Sequence, residues 1–124
     1  MKFNMGFSFN KCISFTKEIE ENGYTFFSKE KNNIDNYYPN KFPNMENINI
    51  SQLKESDLIE IRAFIKTGKK KKHKIESGLI TAEIESIVND EIYANILTEL
   101  PPSFILQSGM TIELKIEEII RKIN

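Results

Sequence analysis

Six lysines and the chain's only histidine stand within nine residues, Lys66 to Lys74, in the stretch IKTGKKKKHKIESG. A cluster of this kind can contact nucleic-acid phosphates, meet an acidic protein surface, hold a small anion, serve as a nuclear address, or lie solvated between two strands. Little else in the chain has the residue types for chemistry. Zinc, or a cysteine–histidine nucleophile, needs convergent ligands or partners. The single cysteine, Cys12, and the single histidine, His73, are 61 positions apart. Carboxylates alone could hold magnesium or calcium, but Glu83 and Glu85 fall on the polar side of an alternating segment and Asp90-Glu91 in a turn. The glycine before the lysines lacks the upstream glycine and the serine or threonine of a phosphate-binding loop. No serine sits in a nucleophile elbow. These residues imply no metal, no cofactor and no enzyme.

The charge pattern narrows the lysine stretch further. The net charge is −1, yet eleven bases outside Lys66–Lys74 face eighteen acids, so the expected object is an acidic body with one positive knob. Nucleic-acid binders spread basic charge over a face, and here the rest of the field would repel phosphate. No aromatic residue on the flanking segments is placed to stack bases beside the lysines. The chain is rich in isoleucine, asparagine and lysine, a bias that accompanies AT-rich coding DNA and discounts the lysines as a signal. His73 among lysines is disfavoured in its charged form, which argues against a pH switch.

The elements that must position this stretch follow from length and periodicity. A chain of 124 residues with 40% hydrophobic residues is one domain's worth and can bury a core without disulfides. No segment has the length of a membrane span, and the N-terminus lacks the apolar run of a signal peptide. A cytoplasmic setting follows. Phe3, Met5, Phe7, Phe9, Ile13 and Phe15 alternate with polar or small residues, the period of a half-buried strand. Asn22-Gly23 then reads in two ways: a two-residue hairpin turn, which the aromatics that follow favour, or the end of a short helix capped at Thr16. Residues 31–49 are rich in asparagine and proline and read as a linker or irregular loop, in which Tyr37, Tyr38 and Phe42 either dock on the body or face a partner.

From Ile50 the two-residue period is regular. A short turn of helix leads into a strand with Ile59, Ile61, Ala63 and Ile65 on one face and Leu58, Glu60, Arg62 and Phe64 on the other. Ile80, Ala82, Ile84 and Val88 alternate with Thr81, Glu83 and Glu85, and Asn89-Asp90-Glu91 is a turn. Ile92, Ala94 and Ile96 form a third strand, Pro101-Pro102 breaks the sheet, and Met110, Ile112, Leu114 and Ile116 form a fourth. Ile116, Ile119, Ile120 and Ile123 have the spacing of a short amphipathic helix. The fold expected is mainly β: a small antiparallel meander or SH3-like barrel with an N-terminal β element and a short C-terminal helix. Residues 1–30 would be the aromatic β element, 31–49 the linker, and 50–124 the small β domain.

The segments SDLIEIRAF, LITAEI, DEIYANILTELP and SGMTIELKIEEI, between about Leu53 and Ile119, resemble the YegJ-like family of small bacterial domains of unknown function. Ser56-Asp57 and Gly109-Met110 stand where that family has glycine-aspartate. LITAEI occupies its tryptophan strand, although this chain has no tryptophan, and Thr98–Pro101 its corner. The resemblance implies a compact β fold and a bacterial or phage origin. It brings no catalytic residues.

Together these readings point to a non-catalytic protein acting stoichiometrically, an inhibitor of the toxin-immunity or phage counter-defence type. Lys69, Lys70, Lys71, Lys72, His73 and Lys74, with Tyr37, Tyr38 and Phe42, would meet a protein partner bearing an acidic patch. Charge would steer and aromatics anchor. Two alternatives remain open. One is a small anionic ligand or nucleotide held by Arg62, Lys66 and Arg121, and the other is nucleic acid on the lysine stretch. The N-terminal alternation could also serve as a dimer edge.

Overall fold

The computed structural model describes residues 4–5, 13–28, 46, 48–68 and 74–123. It is mainly β, an antiparallel sheet curled into a half-barrel. The strands are β1 (Asn4–Met5), β2 (Tyr24–Phe26), β3 (Leu58–Thr67), β4 (Lys74–Val88), β5 (Glu91–Ile96), β6 (Thr111–Leu114) and β7 (Arg121–Lys122), with one helix, α1 (Ile13–Asn22). The main order is β2-β3-β4-β5-β6. β1 adds to β4 beside Glu76 and Ser77, and β7 adds to β3 beside Ile59 and Glu60. The spine is the β3–β4 hairpin, whose ladder runs from Leu58 opposite Glu83 to Thr67 opposite Lys74.

Alternation builds the core as expected. Ile59, Ile61, Ala63 and Ile65 on β3, Ile80, Ala82 and Ile84 on β4, Ile92, Ala94 and Ile96 on β5, and Ile112 and Leu114 on β6 are all buried in one cluster. Phe26 belongs to that cluster, so part of the N-terminal segment shares the core of the later strands. Phe104 and Leu106 add to the same cluster from the loop after Pro101-Pro102. That loop is held by the Gln107 amide, which donates to the carbonyls of Pro101 and Phe104 at 2.8 and 2.9 Å.

Three local readings need correction. First, Ile13–Asn22 is a helix, so Asn22-Gly23 is no hairpin turn. Gly23 ends the helix at φ +82, donating its N–H to Ile19 C=O at 2.8 Å, the left-handed stop that glycine adopts without a Cβ penalty. Phe15 and Ile19, four apart, carry the helical period that the shorter alternation masked. Second, Val88 is 52% exposed and Ile87 packs on the core instead. A β-bulge between Ile84 and Ser86 inserts Glu85 and reverses the alternation beyond it. Third, residues 116–123 are not a helix. A 3-10 turn at Ile116–Glu118 gives way to β7. Four isoleucines make this segment β-prone, and β3 offers it a ladder: Ile120 and Ile123 donate to Glu60 and Leu58 carbonyls at 2.8 Å each. The second face of β3, with Leu58, Glu60, Arg62 and Phe64, is partly sealed. Arg62 and Phe64 are buried there, beside Thr25, Phe27 and Ser77.

The turn before β3 carries strain that a single change should release. Ser56 has φ +73, a left-handed conformation that costs an L-residue roughly 1–2 kcal/mol. Its neighbour Asp57 anchors the turn by accepting the Lys54 N–H at 3.0 Å. Ser56→Gly removes the strain and adds some unfolded-state entropy. The expected net gain is about 0.5 kcal/mol, read as a higher urea midpoint with an unchanged slope.

Candidate functional site

Two features of opposite charge stand out. One is the basic end of the β3–β4 hairpin. Lys66 and Lys74 lie on its last rungs, opposite Ile75 and Thr67. Lys69, Lys70, Lys71, Lys72 and His73, which connect the two strands, lie outside the described residues, as do Tyr37, Tyr38, Phe42 and Cys12.

The three cations of the alternative anion site share the outer face of β3 and its neighbour β7. Arg62 is 8% exposed and donates from Nη1 to Ser77 Oγ at 2.9 Å. Burial lowers its guanidinium pKa, and the Glu60 carboxylate opposes that shift. Arg121 engages Glu60 Oε1 through Nε and Nη2, each at 2.7 Å. Lys66 is separated from Arg62 along β3 by the buried Phe64. Glu60 therefore engages Arg121, while Arg62 donates to Ser77.

The second feature is a cleft of about 430 Å³ where the half-barrel stays open. One wall is the C-terminal half of α1 with β2, contributing Glu18, Glu21, Asn22, Tyr24, Thr25 and Phe26. The other is β6 and the 3-10 turn after it, contributing Glu113, Leu114, Lys115 and Glu118. Among the described residues four carboxylates thus face one ammonium. The Thr25 hydroxyl donates to Glu18, and Glu118 accepts the Lys115 N–H at 2.8 Å. Glu113 sits beside Glu91 on the outer face of the sheet. A hydrogen bond with Glu91, and then that carboxylate's charge, raise the Glu113 pKa above the ordinary carboxylate range, with Lys115 opposing. Tyr93 donates to Glu91 at 3.1 Å, and this bond with the charges of Glu113 and Glu91 raises its phenol. Glu85, the bulged residue, accepts the Thr111 hydroxyl at 3.1–3.2 Å.

Among the described residues, no group of three or more histidine, cysteine, aspartate or glutamate side chains is placed to hold a metal ion. The cleft carboxylates are spread along its walls, an arrangement that suits separate basic side chains better than one compact cation. Sequence reasoning missed this cleft, because its residues come from positions 18–26 and 113–118 and only the curl of the sheet brings them together. Among the described residues no helix is long and apolar enough to cross a membrane.

No family model matches the chain, and no curated protein or solved structure is similar to it.

Proposed function

We propose that this protein acts by stoichiometric contact with another protein, as a non-catalytic inhibitor of the immunity or counter-defence kind in the cytoplasm. The observation that carries this reading is the unbroken ladder of the β3–β4 hairpin, which ends at Thr67 and Lys74. The two strands flank a stretch of sequence, Lys66 to Lys74, that holds six lysines in a chain otherwise acidic. A cationic stretch of this kind favours an acidic surface on the partner. Its charge acts on the rate of encounter and on the choice of partner more than on the lifetime of the complex. The likeness to YegJ-like domains names no reaction and is compatible with this reading.

The test is capture of the partner from the native host, native mass measurement of the complex, and comparison with a variant in which Lys69, Lys70, Lys71 and Lys72 are changed to glutamate. A complex of fixed stoichiometry is expected. Its association rate should fall about 10–100-fold in the variant at low salt, with the two proteins converging at high salt. A rate indifferent to the charge reversal removes the basic tip from the interface. Thermal shift with nucleotides separates a small-anion role, since a bound ligand raises stability. A salt titration with a random oligonucleotide separates a nucleic-acid role.

A further inference from the structure

We infer that the outer edge of β6 is a docking strand for an extended, lysine- or arginine-bearing segment of a partner protein, which adds to the sheet inside the acidic cleft. This rests on the stoichiometric-binder reading and names a second surface for it.

The backbone parity of β6 is the first support. Ile96 donates to Met110 C=O at 2.9 Å, and the register pairs Ala94 with Ile112 and Ile92 with Leu114. In an antiparallel ladder, hydrogen-bonded and non-hydrogen-bonded pairs alternate. The even residues therefore bond to β5, while Thr111 and Glu113 direct their N–H and C=O groups away from it. Among the described residues, β6 pairs with β5 alone. The strand carries no proline, no bulge and no lysine to protect that edge. Its limit is marked by Glu118, whose carboxylate takes the Lys115 N–H. An added strand thus finds two outward residues and up to four main-chain hydrogen bonds.

Charge selects the occupant. In strand addition the main chain supplies affinity, and alternate side chains supply specificity. The residue opposite Glu113 would lie near Glu91 on the outer face, and among the described residues the cleft beyond adds Glu18, Glu21 and Glu118 against Lys115. An acid placed there is repelled and a base attracted. A second copy of the chain is a poorer occupant, because its β6 brings its own Glu113 and Glu91 to the same edge.

The experiment titrates the labelled protein with three synthetic peptides and follows backbone amide shifts. The peptides are a short one of alternating valine and lysine, its counterpart with glutamate for lysine, and the lysine peptide N-methylated at alternate residues. The lysine peptide should shift the Thr111 and Glu113 amides and bind at least about tenfold tighter than the glutamate peptide, by about 1.4 kcal/mol. The N-methylated peptide should not bind. Thr111→Pro removes one outward N–H without touching the bonds of residues 112 and 114, and should abolish binding. Glu113→Lys, a second variant that asks nothing new of the backbone, should reverse the peptide preference. Equal binding of the N-methylated peptide, shifts that avoid β6, a preference indifferent to residue 113, or sedimentation as an edge-paired dimer would each overturn the inference. If the partner complex of the lysine tip forms while the peptides fail, the edge is wrong and the stoichiometric reading survives. If the peptides dock on β6 but no partner complex forms, the reverse holds.

Discussion

Phe64→Ala should destabilise the protein by about 3–5 kcal/mol, the cost of truncating a fully buried phenylalanine. The local pattern argues otherwise. Phe64 shares its strand face with Glu60 and Arg62, and on a solvated face the same change would cost about 0.5 kcal/mol or less. In the structure Phe64 is 0% exposed, opposite Ser77 on β4 and Thr25 on β2, both also buried, with Phe27 at 0% on the same face. The opposite face of β3 is sealed as well, by Ile61, Ala63 and Ile65. A strand buried on both sides loses the clean alternation of a half-exposed one. Ile61→Ala, on the core side, should cost about 2–5 kcal/mol. Each loss is large against the 5–15 kcal/mol expected of a whole domain, and each should lower the urea midpoint without changing the slope. A cost below about 1 kcal/mol for Phe64→Ala alone would mean that the outer face is not packed.

The same strand shows how far the sequence could be read. Period-2 alternation located β3, the stretch of β4 from Ile80 to Ile84, β5 and β6, and turn residues located the Asn89-Asp90 turn, both of whose residues have positive φ. It identified the inner face because one side of those strands is apolar without exception. It failed wherever a second element decides the environment. Phe64 and Arg62 are buried by neighbours that come from the N-terminal segment, where the two-residue period hid a helix. Val88 was assigned to the wrong face because a bulge leaves no mark in composition: Glu85 looks like any polar strand residue. The isoleucines at 116, 119, 120 and 123 fit a helical stripe, yet the open flank of β3 beside Ile59 and Glu60 supplies main-chain partners that a helix would forgo. The acidic cleft was invisible for a related reason. Glu18, Glu21, Glu113 and Glu118 carry no shared motif, and their meeting depends on the curvature that the bulge helps to create. The lysine stretch is legible at once, and the structure adds the position of its two ends: Lys66 and Lys74 lie on the last rungs of the longest ladder in the sheet.

Asp57→Ala should cost about 2–3 kcal/mol and loosen the C-terminus ahead of the rest of the fold. Asp57 is 2% exposed and joins three elements. Its carboxylate accepts the Lys54 N–H at 3.0 Å and meets Lys122 Nζ of β7 at 3.3 Å, while its carbonyl accepts the Ile84 N–H at 2.9 Å beside the bulge in β4. Alanine leaves the carbonyl in place and removes the charged acceptor, and hydrogen bonds to charged groups contribute roughly 1.5–3 kcal/mol. Asp57→Asn keeps an acceptor for Lys54 and loses only the ion pair. Since Lys122 is 30% exposed, solvent screening holds that pair to about 1 kcal/mol or less. A double-mutant cycle with Lys122→Met should return the same small coupling. Hydrogen exchange separates the local effect from the global one. The amides of Ile120 and Ile123, bonded to β3 at Glu60 and Leu58, should lose protection in Asp57→Ala by more than the amides of Ile61 and Ile80 do, because β7 holds on by a two-residue ladder, the Arg121–Glu60 contact and this ion pair, while the central hairpin holds by its full ladder. Equal costs for the alanine and asparagine variants would show that the ion pair and not the turn hydrogen bond carries the effect, and uniform loss of protection across the sheet would show that β7 docks without Asp57.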